Sequence, residues 1–582
     1  MDIIGIGCYY HDSSACLIRN GKLIAAAQEE RFSRKKHDLG FPTKAIEYCL
    51  KEGKTNMGKV DYVAFYEKPF LKFERLLYQF IETFPKSYSA FVQSLPPWLS
   101  ERLLIKSVVQ DMGFKGKMLF PEHHLSHAAS SFLVSPFKSA AIFTVDGVGE
   151  WSTTTLGKGY DNEIKILKEI QFPHSLGLLY SAVTAYLGFR VNNSEYKVMG
   201  LAPYGKPKYV DKFRKVIDIK EDGSFALDMD YFTYHYKMSM PSNKFVDLFG
   251  EQRQNDGPIT QYHKDLAMSL QKITEEAVFN SLNYLHGITG EENLCMAGGV
   301  ALNSVANGKI IRNTPFKNVW IQPAAGDAGG SVGAAYYVYN SVLGNKRNFV
   351  FNDAFLGPGY SDKQIESFLK KEKINYTKFK SRQGLLKTSA DMLVDEKVIG
   401  WFQGRMEWGP RALGARSILA SPLRSEMKNV LNLKVKHREY FRPFAPVICD
   451  TDVETFFESD KPLPAPAYYM QMVWPIKKDK RKLVPAVTHV DGSGRLQVIR
   501  RNQNSLYYDV IKEFGKRTKV PILVNTSYNI RGEPIVCTPE QGYVCMMGTG
   551  IDAMVAGSFL VERDKNLRDA WDSENKAKAF GN

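Results

Sequence analysis

No stretch of this sequence stays apolar for the roughly 18 residues needed to cross a bilayer. The opening Met1-Asp2-Ile3-Ile4-Gly5-Ile6-Gly7 has neither the basic head nor the small-residue cleavage site of a secretory leader. The expectation is a cytoplasmic protein without membrane partners. Cysteine is scarce: Cys8, Cys16, Cys49, Cys295, Cys449, Cys537 and Cys545 are scattered and form no Cys-x-x-Cys pair, which argues against a disulfide framework and a zinc ribbon. Low-complexity runs are missing too. With 44% hydrophobic and 24% charged residues, the composition is that of a folded globular chain.

What is present is length and positive charge. At 582 residues the chain needs more than one core, since domains average about 150 residues. Its 77 Lys and Arg against 62 Asp and Glu leave a net charge of +15, which favours anionic partners. The run "KKDKRK" at 477–482 reads as a solvated turn, and no nucleic-acid module accompanies it. Small phosphorylated molecules are therefore expected, and nucleic acid is not.

The first thirty residues read as strand, polar turn, strand, Asn20-Gly21 hairpin turn and strand. The same order returns from residue 140, with an Asp146-Gly147 turn, so the two segments look like the starts of two related lobes. Helical periodicity follows each, in "PTKAIEYCLKEG" and in the long amphipathic run that ends at Gly290. Residues 68–112, aromatic and broken by Pro96-Pro97, read as a helical insertion that packs on the core or serves as a lid or acceptor wall. The Gly-Pro-Gly cluster at 357–359 punctuates the chain, and the main boundary is placed near 350. The expected fold is α/β: 1–350 as two lobes (1–138 and 139–350), then a second α/β domain over 351–582.

In "PEHHLSHAAS", His123 and His127 stand four residues apart, which on a helix sets both on one face within reach of a common ion. His124 faces elsewhere. Two short carboxylates, Asp146 after an apolar strand and Asp327 among small residues, supply the rest of a set suited to divalent iron, manganese or zinc. Read one at a time, these residues are as ordinary as any core histidine or turn aspartate.

The segments "YYHDSSACLI", "EERFSRKKH", "EHHLSHAASSF", "TVDGVGEWST", "EYKVMGLAPYG", "MAGGVALNS", "QPAAGDAGGSVGAA", "GRMEWGPRALGARS", "KHREYFRPFAP", "GRLQVI" and "LVNTSYNIRGEPIV" together resemble the ATP-dependent O-carbamoyltransferases of antibiotic, toxin and nodulation-factor biosynthesis. The resemblance spans nearly the whole chain. It implies an actin-like (ribonuclease H-like) metal-binding domain followed by a YrdC-like domain. The latter would make carbamoyl adenylate from carbamoyl phosphate and ATP with Mg2+, and the former would pass the carbamoyl group to a hydroxyl of a small molecule.

By the same resemblance His123, His127, Asp146 and Asp327 would hold iron(II), and His11, in the first turn, would orient or deprotonate the acceptor, a role that a near-neutral pKa suits. Gly298, Gly299, Asn303, Glu195 and Lys197 would meet the nucleotide in the transfer domain. Arg411, Lys436, Arg438, Arg442 and Arg495, with Ser527 and Asn529, would hold ATP and carbamoyl phosphate, whose summed negative charge calls for converging cations. His437 reads as structural. Rival readings are a threonylcarbamoyl-tRNA-type enzyme and a nucleotide-switched actin-like binding protein; the acceptor and the oligomeric state, a homodimer included, stay open.

Overall fold

A computed structural model describes residues 1–255, 257–458 and 463–579. The chain divides into two compact units, one of residues 1–29 and 37–351, the other of residues 30–36 and from 352 onward. Among the described residues no helix is long and apolar enough to cross a membrane.

The first unit is built on two five-stranded sheets. Strands β1 (Asp2–Gly7), β2 (Ser14–Arg19), β3 (Lys22–Gln28), β4 (Tyr62–Phe65) and β5 (Lys117–Leu119) lie in the order β3-β2-β1-β4-β5. The hairpin strands are antiparallel, while β4 and β5 run parallel to β1. Strands β6 (Ser139–Val145), β7 (Ser152–Tyr160), β8 (Glu163–Gln171), β9 (Asn293–Ala297) and β10 (Asn318–Ile321) repeat that plan as β10-β9-β6-β7-β8, with the same directions. The echo between the two segments is therefore a duplication of topology, and the α/β class expected from the sequence is the one observed.

Strand β1 is buried along its whole length, as its near-continuous apolar run requires for a central strand. Helix α1 (Thr43–Glu52) follows the first hairpin, α2 (His123–Phe132) follows β5, and α3 (Gln261–Thr289) closes at Gly290 in the left-handed conformation. Helix α4 (Ala328–Tyr336) is made of small residues because it lies close on α2: a Cβ at Gly333 would stand 1.8 Å from the Ser126 carbonyl oxygen. In the insertion, helices Pro69–Glu82, Tyr88–Pro97 and Ile105–Asp111 form; Pro96 and Pro97 fall in the last turn of the second instead of splitting it.

The second unit carries one nine-stranded mixed sheet. Strands β11 (Thr377–Lys378), β12 (Ile399–Phe402), β13 (Arg416–Ala420), β14 (Ala445–Cys449), β15 (Met472–Pro475), β16 (Ser493–Ile499), β17 (Ile522–Ser527), β18 (Ala553–Ala556) and β19 (Phe559–Glu562) lie in the order β11-β19-β18-β12-β13-β17-β14-β16-β15. Helices α5 (Arg382–Val394) and α6 (Ser505–Thr518) bury Leu386, Leu393, Val510 and Phe514 against Trp401, Leu419, Val447 and Leu523.

Residues 30–36 belong to this unit although they follow β3 in sequence. Arg31 donates to the Gly409 carbonyl at 2.9 Å, and Arg34 donates to the carbonyls of Ile535 and Pro534 at 2.7 and 2.8 Å. Phe32 packs on Met406, Ala412, Ile535 and Cys537. The short segment thus clamps two loops, 403–415 and 528–536, which carry Arg411 and Asn529.

Candidate metal centre and anion site

The four residues expected to hold a metal converge in the first unit. Helix α2 presents His123 and His127 one turn apart, and its first amide, that of His123, donates to both carboxylate oxygens of Glu150 at 3.0 Å. That contact satisfies a helix-end donor and fixes the turn that carries both rings. Burial, then the charge of Glu67, raises Glu150 to about 7. Asp146 follows β6, and its Oδ1 accepts the Gly299 amide at 2.9 Å. Its Oδ2 lies 3.0 Å from His123 Nε2 and 3.1 Å from His127 Nε2.

Asp327 sits at the start of α4, yet its carboxylate does not cap that helix. It points to His127 Nε2 at 3.4 Å and His123 Nε2 at 3.7 Å.

This arrangement fits a divalent ion. One donor atom from each residue lies within 4.8 Å of all the others. Ligand bonds of about 2.0–2.2 Å set two donors on one ion about 3–3.5 Å apart. Asp327 is 2% exposed, and neither of its oxygens has a hydrogen-bond partner, a costly state for a buried carboxylate that a cation relieves. The two Nε2 atoms face each other at 3.0 Å.

Burial works against a charge on His127, but the facing carboxylates of Asp146 and Asp327 outweigh it and raise the ring to about 9. Burial, together with the charge on His127, holds His123 well below the usual imidazole range. A proton on His127 would lie where a cation fits. His124, as expected, turns away, its Nδ1 2.7 Å from Thr144 Oγ1.

His11 approaches from the opposite hairpin, its Nε2 3.7 Å from Asp327 Oδ2. A near-neutral ring suits the role expected of it. Burial lowers its basicity, but Asp327, the hydrogen bond to Asp12, and the charges of Asp12 and Asp146 more than compensate and raise it to about 10. The cause is uncompensated carboxylate charge, which a bound cation would cancel.

The proposed nucleotide residues of this unit have structural partners of their own. Gly298 has φ +99°, and a Cβ there would stand 2.2 Å from the Val145 carbonyl oxygen, so its missing side chain serves the close approach of β9 to the end of β6. Gly299 spends its amide on Asp146. Asn303 caps the four-residue helix 304–307 by accepting the Ala306 amide at 3.1 Å, and it exchanges hydrogen bonds with Gln271. Glu195 accepts from Ser181 Oγ and the Asn192 amide. Lys197 is buried with its ammonium 5.3 Å from the Phe189 ring centroid.

In the second unit the structure joins three of the seven expected residues directly. Lys436, 2% exposed, donates from Nζ to the Ser527 carbonyl, to Asn529 O at 2.9 Å and to Asn529 Oδ1 at 2.8 Å, and the Ser527 hydroxyl donates to Asn529 Oδ1 at 2.7 Å. Burial, then the charges of Arg438, Arg442 and Lys36, hold Lys436 well below the usual lysine range. Arg438 lies over the Phe444 ring and donates to Asn432, and Arg442 faces Glu439 at 3.5 Å. Arg495 pairs with Val473 across β16 and β15.

Arg411 rides on a loop pinned by Glu407, which accepts the amides of Leu413, Ala415 and Arg416 at 2.8, 2.6 and 3.1 Å. Neither Lys36 nor Glu407 was singled out from sequence. His437 is held by Ser573 at 2.8 Å, in keeping with a structural role.

The first unit thus carries two sheets of one topology and a buried two-histidine, two-aspartate cluster, and the second an α/β sheet with clustered cations. Residues 2–336 match the family described as "Carbamoyltransferase N-terminus", and residues 390–563 that described as "Carbamoyltransferase C-terminus". The chain belongs to the carbamoyltransferase family and is a transferase of that kind.

It is 46% identical over 597 aligned positions to the Synechocystis sp. protein sll1178, covering 96% of each chain. To "Nodulation protein NolNO" of Sinorhizobium fredii it is 37% identical over 572 positions, covering 97% of this chain and 80% of that one. Among solved structures, HypF of T. kodakarensis aligns over 59% of this chain and 48% of that one at 12% identity, with a TM-score of 0.32.

Proposed function

We propose that this chain is an ATP-dependent O-carbamoyltransferase in which the second unit makes carbamoyl adenylate and the first passes the carbamoyl group to a hydroxyl of a small molecule. The single observation that supports it most is the buried four-residue cluster whose Asp327 oxygens lack any partner. A carbamoyl group is a poor electrophile until it is joined to a good leaving group, which explains why a chain of this family would carry both units. Assembly proteins of actin-like fold have no need of two histidines at ligand spacing.

In the second unit the atoms balance when carbamoyl phosphate gives up its phosphate to water. A carbamate oxygen then attacks the α-phosphorus of ATP, and pyrophosphate leaves. Lys436, Arg438 and Arg442, with Arg411 and Arg495 from neighbouring loops and strands, would offset the charge of both substrates, and Ser527 and Asn529 orient Lys436. ATP enters with Mg2+.

In the first unit His123, His127, Asp146 and Asp327 would hold a divalent ion, iron(II) by expectation, which when bound supplies Lewis-acid polarisation of phosphate oxygens. The acceptor hydroxyl adds to the carbamoyl carbon, the bond to AMP breaks, and His11 Nε2 takes the hydroxyl proton. Gly298, Gly299, Asn303, Glu195 and Lys197 would meet the nucleotide in this reaction. The acceptor is expected to be a hydroxylated metabolite or sugar.

The test is product analysis. With ATP, carbamoyl phosphate and excess Mg2+, the protein is expected to release pyrophosphate, and AMP should follow only when a hydroxyl acceptor is present. A chelator selective for transition metals should stop AMP release and spare pyrophosphate. Release of ADP and phosphate instead would sink the reading.

A further inference from the structure

His11 does not stand alone in its turn. Its Nδ1 lies 2.9 Å from Asp12 Oδ2, and the other oxygen of that carboxylate, Oδ1, lies 2.9 Å from His37 Nδ1. His37 Nε2 in turn lies 3.0 Å from Asn193 Oδ1. Four side chains from three separate segments thus form one hydrogen-bonded chain within the first unit. We infer that Asp12 and His37 are positioning residues that hold His11 in the tautomer and orientation needed to accept a proton at Nε2, with Asn193 anchoring the far end. The inference rests on the role proposed above for His11.

The chemistry follows from donor and acceptor count. An ionised carboxylate can only accept, so the ring nitrogen of His11 that meets Asp12 must carry its hydrogen. That leaves Nε2, the nitrogen nearer Asp327, as the acceptor in a neutral ring. A base works only when its lone pair faces the proton it removes and a third group fixes the ring. Asp12 is adjacent to His11 in sequence, and a carboxylate so close would swing freely on an ordinary turn. Here it is bound on both oxygens.

The backbone is arranged to make this geometry. Asp12 has φ +54° and His37 φ +54°, and Tyr9 in the same turn has φ +76°. Left-handed conformations at non-glycine residues cost on the order of 1–3 kcal/mol and persist where surrounding contacts impose them. The contacts are present: the Tyr9 amide donates to the Leu39 carbonyl and the Ser13 amide to the Asp38 carbonyl, each at 2.8 Å. These two bonds lash the 8–13 turn to the 37–40 turn and place Asp12 between the two rings.

At the far end, Asn193 sits in the loop whose Asn192 amide donates to Glu195 Oε1 at 2.8 Å. The chain of hydrogen bonds therefore runs from the first lobe's hairpin turn to the second lobe's 192–195 loop, and the orientation of the base is coupled to the seating of that loop.

The test uses the full-length protein loaded with diamagnetic zinc and labelled with 15N-histidine, in wild type, H11Q, D12N, H37A and H37Q. The His11 signals, assigned by their loss in H11Q, are expected to show a protonated Nδ1 and a bare Nε2 in wild type, and a mixture of tautomers in D12N and H37A. Turnover is measured in parallel with ATP, carbamoyl phosphate and glycerol as the hydroxyl probe. D12N is expected to lower kcat for glycerol carbamoylation about 100-fold, with the KM for glycerol within about twofold and pyrophosphate release unchanged, as suits loss of a base's orientation. H37A should lose about tenfold and H37Q recover most of it, since the amide can still donate to Asp12.

An unchanged His11 tautomer in D12N and H37A overturns the inference, as does wild-type kcat in both variants while H11Q is inactive. If H11Q itself transfers at the wild-type rate, the role assigned to His11 fails, and the tautomer signals still decide whether Asp12 and His37 hold it.

Discussion

His127→Ala is expected to abolish carbamoyl transfer while leaving pyrophosphate release intact. The imidazole lies within 3.1 Å of Asp146 and 3.4 Å of Asp327, and its removal takes one of four donors from the proposed ion. Metal affinity should fall by more than the roughly 10–100-fold that outer-shell changes cause, and transfer by about 10³-fold, the worth of several kcal/mol of Lewis-acid stabilisation. The metal-free variant should also melt earlier. Asp146 and Asp327 then share a buried site without the proton that His127 carries, and breaking such a buried ionic contact costs about 3–5 kcal/mol. In the wild type, metal must displace that proton, because His127 is raised to about 9. Apparent metal affinity should therefore climb as pH rises toward about 9 and fall below it. Metal content by mass spectrometry, with melting curves before and after chelation, checks each point. A variant that binds metal normally would remove the centre from the proposal.

Lys436→Met is expected to do the reverse, cutting pyrophosphate release by about 10³-fold and leaving metal content untouched. Electrostatic donors aimed at developing charge in an enclosed site carry effects of this size. Stability should change by no more than about 2 kcal/mol, since the variant leaves the acceptors on Ser527 and Asn529 without their donor but also removes a charge that burial penalises. Kinetic assay and thermal melting on the same sample separate loss of chemistry from loss of fold. Should His127→Ala and Lys436→Met lose both half-reactions alike, the two sites would not divide the labour as proposed.

Local signals in the sequence were enough for much of this architecture. Hairpin turns at Asn20-Gly21 and Asp146-Gly147 announce the two lobes because turn chemistry and alternation act over a few residues. His123 and His127 are legible because the four-residue spacing is itself helix geometry, and Asp146 because it ends an apolar strand. Gly298 is a different case: the sequence shows an absent side chain but not the Val145 carbonyl that lies where a Cβ would stand. His37 and Asp12 are 25 residues apart and meet only because two turns adopt left-handed backbone and bond to each other. Nothing in local periodicity reports that. Lys36 and Glu407 were missed for the same reason, since their neighbours are set by tertiary approach.

The clamp formed by Arg31, Phe32 and Arg34 bears on how such a chain can be divided by evolution or by the bench. A gene cut at codon 352 would encode the nine-stranded sheet whole, yet it would leave behind seven amino acids that grip two of its loops from outside the contiguous stretch. Separation at that point would have to replace this fastening, because the longer stretch supplies it to the shorter one.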